Sequence, residues 1–157
     1  MASHIKKYIG ITALAFTLTA CASTPAPVIE RFDTSRTYNM SRDQAWDRAV
    51  EWFAVQNIPI KAIEKESGII SGEAAYIKTV QGQYAACETP TFYGLNGATA
   101  RINILIRGNS NQATVQVNNT IVGEAIYSLS NPPQIQTVSC VSTGRLENSI
   151  LNTIGGN

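Results

Sequence analysis

The sequence has little histidine and little charge. His4 is the only histidine in 157 residues, and charged side chains make up 15% of the chain, with 12 basic and 11 acidic residues. Proteins that bind nucleic acids use clusters of lysine and arginine to neutralise phosphates. The formal net charge of +1, without a long basic run, excludes nucleic acid as an expected partner.

An apolar run of about 20 residues, the length of a membrane-spanning helix, is also missing. The apolar stretch 8–18 follows two lysines and precedes two small residues. This order is typical of a secretory signal peptide, so we expect residues 1–20 to be removed. Removal takes His4 away, and the remaining chain is then expected to lack Ser-His-Asp and Cys-His catalysis and histidine metal ligands.

Cysteine is scarce, and the first of the three, Cys21, directly follows the signal-peptide pattern. The segment Leu18-Thr19-Ala20-Cys21 resembles the lipobox of bacterial lipoproteins, whose cysteine is acylated and becomes the first residue. The alternative is an ordinary signal peptide followed by a chance cysteine. The resemblance implies lipid attachment at Cys21 and, because Ala22 and not aspartate comes next, delivery to the outer membrane.

Residues 21–28 are expected to form the lipidated cysteine and its tether. Each buried methylene of an acyl chain contributes about 0.8 kcal/mol, so more than one chain makes a stable anchor. The sequence ASTPAPV after Cys21 is small and contains proline, which favours an extended linker between the bilayer and the domain.

The remaining cysteines, Cys87 and Cys140, are expected to form a disulfide because an oxidising periplasm favours pairing. They are 53 residues apart, and closing a loop of that length stabilises the fold by about 4 kcal/mol in the loop-entropy model. The alternative is two unrelated buried thiols. The spacing does not suit a zinc clip, and the sequence predicts no metal and no cofactor.

Residues 29–157 are expected to form a single periplasmic domain. Alternation over 29–40 predicts a first strand. Ser41 and Gln44 then have the spacing of a capping box, which starts a helix that we expect to end near Gln56, three residues before a proline. The apolar stripe predicted for this helix consists of Trp46, Ala49, Val50, Phe53 and Ala54.

Four more strands and a second helix are predicted after the first helix. Two strands, 58–63 and 69–76, flank a polar turn, and the alternating segments ATARINILIRG and ATVQVNNTIVG predict a hairpin with one solvated face. The segment 124–139 fits a strand continuation or a loop, and we interpret Pro132-Pro133 within it as a turn.

The C-terminal segment is predicted to be a helix because its apolar residues have helical spacing. We expect Ser142 or Thr143 to cap it and Gly155 to end it. The predicted order is β-α-β-β-β-β-α. The expected fold class is α+β with two layers, an antiparallel sheet of about five strands with both helices on one face.

The run RTYNMSRDQAWDRAVEWFAVQNIPIKAIEKESGIISGE carries a further resemblance. It contains a strand, a capped helix with an early tryptophan, and a hairpin whose second strand begins after Gly68. In this order it resembles the domains of the C lipoprotein of the β-barrel assembly machinery. About forty residues match closely and the rest only in topology. The resemblance implies a fold and a compartment and carries no catalytic motif.

Few groups remain for catalysis, and a loop is the stronger candidate site. Glu64, Glu66 and Glu73 surround the EKESG turn, but mixed charges at a turn are usually solvated. The long segment 77–98 carries the candidate partner-binding residues Tyr84, Phe92 and Tyr93, since tyrosine side chains on loops make good binding anchors. The alternative is that these rings cover an open end of the core.

A second candidate surface is the predicted polar face of the sheet, which either binds glycan or peptide or only keeps the sheet soluble. An unpaired sheet edge is a third way to accept a partner. The polar face comprises Arg101, Asn103, Arg107, Thr114, Gln116, Asn118 and Thr120.

The sequence thus predicts a non-enzymatic lipoprotein at the outer membrane that faces the periplasm and binds another envelope protein, as a subunit or accessory of an assembly or secretion machine. The main alternative is an inhibitor or immunity-type lipoprotein that blocks a hydrolase. Cell-wall hydrolysis by carboxylates is a third reading.

Overall fold

The computed structural model describes residues 31–77 and 83–156. The signal peptide, Cys21 and the tether predicted above lie outside these residues. The described part contains two helices, α1 (Arg42–Val55) and α2 (Arg145–Gly155). Its seven strands are β1 (Ser35–Tyr38), β2 (Ile60–Glu64), β3 (Ile69–Ile77), β4 (Ala85–Cys87), β5 (Gly94–Gly108), β6 (Ala113–Tyr127) and β7 (Gln134–Ser142).

The strands form one sheet in the order β2-β3-β5-β6-β7-β4, and β1 pairs with the first half of β6. All pairings among the described strands are antiparallel. The α+β class with two helices is confirmed, but the expected number of about five strands is wrong. The two additional strands are β4, which has only three residues, and β7, which follows the turn at Pro132-Pro133.

Helix α1 begins as its capping box predicts. The Ser41 side chain accepts a hydrogen bond from the Gln44 backbone N–H at 3.1 Å, and the Gln44 side chain accepts one from the Ser41 N–H at 3.0 Å. At the other end, Asn57 is in the left-handed conformation with φ 53° and donates to Ala54 O. The Ile58 N–H donates to Phe53 O at 2.9 Å, which completes a Schellman motif with asparagine in the left-handed position. The helix therefore ends at this motif, ahead of Pro59.

Helix α2 has a different cap from the one predicted. Gly144, with φ 78°, occupies the N-cap position and provides no side-chain hydrogen bond. Ser142 Oγ instead donates to Glu147 Oε2 at 2.9 Å and accepts from the Gly144 N–H at 3.1 Å, while Thr143 Oγ1 donates to Gln83 O. The Ser142 and Thr143 hydroxyls do not cap the helix, because the left-handed Gly144 turns the chain between these residues and the first turn of α2.

The core lies between the two helices and one face of the sheet. The α1 stripe is rotated relative to the prediction: Ala45 and Trp52 are buried, while Val50 is half-buried and Ala54 is exposed. We attribute the rotation to packing of α1 against α2 as well as the sheet. The largest fully buried side chains are Phe53, Ile70, Ile102, Ile104, Ile106, Ile150, Leu151, Ile154, Val115 and Val117.

Tyr38 joins β1 to α2 and makes their contact sensitive to alkali. Its hydroxyl donates to Leu151 O at 2.6 Å, and burial raises the pKa of the phenol, an effect that the Arg36 guanidinium partly offsets. The stabilisation that follows from the raised pKa is complete below the unfolded-state value of about 10 and is lost as the pH rises through the folded-state value.

We expect Tyr38→Phe to lower the free energy of unfolding by about 1 kcal/mol at neutral pH, the usual contribution of one hydrogen bond. The difference from the wild type should shrink as the pH rises through the raised folded-state pKa of Tyr38, because the phenolate no longer donates a proton to Leu151 O. Urea unfolding of both proteins across this range measures it. An equal difference at both ends of the range would contradict the assignment.

Candidate protein-binding site

The three candidate loop aromatics occupy different environments. Tyr84 is half-buried against the main core, and its backbone carbonyl accepts from the Thr143 N–H at 3.0 Å. It covers the core at the end of the sheet where α2 begins. For Tyr84 the structure therefore favours the alternative interpretation, a ring that closes the core.

Tyr93 joins its loop to the β6–β7 hairpin. Its ring lies 5.5 Å from the ring of Tyr127, and its hydroxyl donates to Gln134 Oε1 at 3.1 Å. The same ring packs against a small second core formed by Leu95, Ala125 and Val138. Tyr93 therefore fixes the position of the residues next to it in the loop.

The expected disulfide between Cys87 and Cys140 is present and holds β4 against β7, where the two cysteines lie directly opposite each other. Gly123 of the neighbouring strand lies beneath the bridge. A Cβ atom at Gly123 would stand 3.0 Å from Cys140 Sγ and 2.9 Å from side-chain atoms of Leu95 and Val138. The bridge thus anchors the segment before Tyr93 over the second core.

Phe92 differs from both tyrosines, because its side chain is 83% exposed. It lies in a turn closed by a hydrogen bond from the Tyr93 N–H to Pro90 O at 3.0 Å, and its φ is 70°. The left-handed conformation costs a residue with a Cβ about 1–2 kcal/mol. Burial of the ring does not offset this cost, and strain of this kind is concentrated at functional sites.

Two further exposed apolar side chains lie at the same end of the sheet. Leu129, in the turn between β6 and β7, is 83% exposed, and Ile135, at the start of β7, is 64% exposed. The Tyr93 contacts with Tyr127 and Gln134 bring the loop that carries Phe92 to this turn. We call Phe92, Leu129 and Ile135 the apolar end. Ile135 follows Gln134 on β7, so its side chain points to the opposite face of the sheet from the Gln134 side chain that Tyr93 contacts. The apolar end is therefore defined by its place at one end of the sheet and not by a shared face.

Sequence reasoning found Phe92 and missed the other two members. Ile135 alternates with polar neighbours in QIQTV, which is a strand signal, but the two prolines before it favoured a turn. Leu129 lies in the serine-rich stretch YSLSN and carries no periodic signal. The pairing of Tyr127 with Gln134, together with the contacts of Tyr93 with both residues, brings the three positions to one end of the sheet.

The polar face of the sheet is where the alternation predicts it. The predicted residues from Arg101 to Thr120 are exposed on the side away from the helices. Arg101 Nε lies 3.4 Å from Glu73 Oε2. Glu64 pairs with Ile69, so it is four residues along the hairpin from Glu73, about 13 Å at the rise of a strand. The register therefore places the backbones of Glu64 and Glu73 far apart along the hairpin.

A groove of about 550 Å³ lies beside β3, between the end of α1 and α2. Its lining includes Ile58, Pro59, Tyr84 and Leu146. Trp52, only 3% exposed, also contributes to the lining, and its Nε1–H has no hydrogen-bond partner in the described chain. We call this feature the β3 groove. No short stretch of sequence predicts it, because its lining residues come from five separate segments of the chain.

The chain matches no protein-family model, and no curated protein sequence is significantly similar to it. In the described ranges, neither helix is long and apolar enough to cross a bilayer. The same ranges contain no cluster of three or more histidine, cysteine, aspartate or glutamate side chains suited to hold a metal ion. The described residues form a disulfide-bonded α+β domain with an exposed apolar end.

Proposed function

We propose that this protein is a non-enzymatic lipoprotein of the bacterial envelope that binds another envelope protein through its apolar end. Acylated Cys21 would hold it at the outer membrane, facing the periplasm, as a subunit or accessory of an assembly or secretion machine. The observation that supports this best is Phe92, a large apolar side chain that is 83% exposed in a left-handed turn.

Phe92 contributes nothing evident to folding. A glycine at this position would adopt φ 70° without strain, and the ring covers little apolar surface in the folded chain. A binding partner that buries the ring would explain why phenylalanine occupies this position. Aromatic side chains in desolvated pockets dominate the binding energy of many interfaces.

The position of the apolar end is compatible with a tethered protein. The chain enters the sheet at Thr34, whose carbonyl accepts from the Val117 N–H at 2.7 Å. The apolar end lies near Tyr127, ten residues further along β6, which corresponds to about 33 Å. A tether attached near Thr34 therefore leaves the apolar end far from the point of attachment and accessible to a neighbour.

The resemblance to the C lipoprotein of the β-barrel assembly machinery supports the proposed compartment. The matching run covers β1, α1, β2 and the start of β3, and the predicted lipobox precedes it at the expected place. None of the apolar end lies within this run, so the proposed contact surface rests on the structure of the loop and of the β6–β7 hairpin.

The test is a pair of changes at the apolar end in intact cells. A photo-crosslinking amino acid at Leu129 should form a covalent adduct with an envelope protein, and Phe92→Gly in the same chain should abolish the adduct. For the purified pair, we expect Phe92→Gly to weaken binding at least about 30-fold, the effect of losing about 2 kcal/mol at a hot spot.

Two controls separate binding from folding. Phe92→Gly should leave the free energy of unfolding unchanged or raise it by about 1 kcal/mol, because it relieves the left-handed strain. The photo-crosslinker at Val55, a 71% exposed apolar position on α1, should give no adduct. The proposal fails if the Leu129 adduct persists in Phe92→Gly or if Val55 yields the same adduct.

The bridged loop also suits the second candidate function, an inhibitor of a periplasmic hydrolase. The disulfide at Cys87 and the Tyr93 contacts hold both sides of the turn that carries Phe92, which lowers the entropy cost of inserting the turn into a cleft. In this case the adduct partner would be a hydrolase, and the purified protein, but not Phe92→Gly, would reduce its activity.

A further inference from the structure

The outer edge of β3 is only partly covered by its neighbour. β2 pairs with β3 as far as Gly72, and the Glu73 N–H then donates to Pro59 O at 3.3 Å. On the opposite side β5 pairs with β3 along its whole length, to Ile77. No described strand continues the β2 side of the sheet beyond Glu73, so the second half of β3 has one unpaired edge within the described chain.

The direction of the Glu73 N–H determines which backbone groups face this edge. Backbone groups alternate between the two sides of a strand, so the N–H and C=O groups of Ala75 and Ile77 also point away from β5. Ala74 and Tyr76 point towards β5 and are already paired with it. The edge therefore presents donors and acceptors with the spacing of a sheet ladder.

The β3 groove runs along this edge and provides room for a further strand. Its volume is about 550 Å³, and its lining includes the end of α1, Tyr84 and Leu146. Ala74 and Ala75 line its floor, and their short side chains leave the backbone of β3 accessible. Ala75 is exposed.

Charge restricts the strand that fits. Two charged residues line the groove, Lys61 and Glu73. The Glu73 carboxylate is paired with Arg101, whereas the Lys61 ammonium makes no ion pair with any described residue. An acidic side chain on the incoming segment would complement Lys61, while a second cation would be repelled.

The geometry points to strand addition at this edge: an extended segment of a partner polypeptide, with an acidic side chain next to Lys61, binds the backbone of Ala75 and Ile77 as an eighth strand. Recognition through main-chain hydrogen bonds, with adjacent pockets for alternate side chains, is an established mode of peptide binding. This site lies on a different part of the sheet from the apolar end and does not depend on the function proposed for Phe92.

The test uses the full-length protein in detergent and a phage-displayed library of random linear twelve-residue peptides. Selected peptides are expected to be acidic and to bind Ala75→Pro at least tenfold more weakly than the wild type, because proline removes the outward N–H without touching the β5 ladder. Bound peptide should slow amide hydrogen exchange at Ala75 and Ile77 at least tenfold and leave Ala74 unchanged.

A second measurement requires no change in the fold. N-methylation of the selected peptide, one residue at a time, should abolish binding at every second position only, since alternate amides face β3. Lys61→Glu should weaken binding, whereas Lys65→Glu, at a lysine already paired with Asp43 at 3.1 Å, should not. Phe92→Gly should bind the peptide as the wild type does.

Three results would overturn the strand-addition site. They are equal binding to wild-type and Ala75→Pro proteins, an N-methylation profile without a period of two, and the absence of any enriched peptide. The peptide assay reports on the β3 edge, and the crosslinking experiment at Leu129 reports on the apolar end. Either proposal can therefore fail while the other holds, and Phe92→Gly in the peptide assay checks that the two sites are independent.

Discussion

Replacing Gly68 by alanine is expected to lower the free energy of unfolding by about 2–5 kcal/mol. Gly68 has φ 73°, and a Cβ atom there would overlap the backbone carbonyl of Ile106. The left-handed conformation contributes about 1–2 kcal/mol of this cost, and the overlap adds about 1–3 kcal/mol. Backbone atoms of β5 cannot rotate away as a flexible side chain would.

The surroundings of Gly68 leave the turn no alternative position. Its own carbonyl accepts from the Ile106 N–H at 2.8 Å, and Arg42 at the start of α1 donates to Lys65 O and Glu66 O in the same turn. The Arg42 N–H also donates to Asn109 O at 2.9 Å, which joins this turn to the β5–β6 turn. A shift at Gly68 would therefore disturb α1 and β5 together.

Gly94→Ala is the matched control, because a Cβ at Gly94 would have no neighbour within 4 Å. We expect it to change stability by less than about 0.5 kcal/mol. Urea unfolding of the two variants and the wild type compares their midpoints. Equal midpoints for Gly68→Ala and Gly94→Ala would show that the close approach to Ile106 does not exist in solution.

The second large effect is expected from removal of the disulfide. Cys87→Ala with Cys140→Ala should lower the free energy of unfolding by about 4 kcal/mol, the loop-entropy value for a separation of 53 residues. Locally, β4 has only three residues, so few backbone hydrogen bonds would hold it in place. We expect faster hydrogen exchange at Ala85 and Val138 than at Ile104 and Val117, which pair with each other in the middle of the β5–β6 ladder.

Thermal unfolding of the double variant, compared with the wild type under oxidising and reducing conditions, measures the effect. Reduction should bring the wild type close to the double variant, because both then lack the same bond. Cys21→Ser is the control for the remaining cysteine and should unfold like the wild type. Identical stability of the oxidised wild type and the double variant would contradict the expected contribution of the bridge.

The sequence predicted elements whose signals are local. The capping box at Ser41 and Gln44 and the alternation of ATARINILIRG depend on near neighbours in the chain, and both features occur as expected. The predicted cap of the second helix is wrong, because Gly144 adopts a left-handed conformation and the Ser142 hydroxyl donates to Glu147. The preference of serine for N-caps could not anticipate that competing contact.

The candidate site was predictable in part for the same reason. The length and the aromatic residues of the loop indicated a binding segment, but the roles of its rings depend on distant partners. Tyr93 is fixed by Tyr127 and Gln134, and Phe92 is left exposed. The β3 groove depends on where β2 stops pairing and on how α1 and α2 are placed, so no short stretch of sequence encodes it.

The contact between β1 and α2 determines when the domain can finish folding. Arg36 Nη1 donates to Asn152 Oδ1 at 2.6 Å, and Tyr38 reaches Leu151 in the same helix. The first strand of the domain pairs with β6 but acquires its contacts with α2 only after α2 has been synthesised. A chain whose α2 segment is still emerging from a ribosome lacks this contact, so the fold is complete only when α2 has arrived.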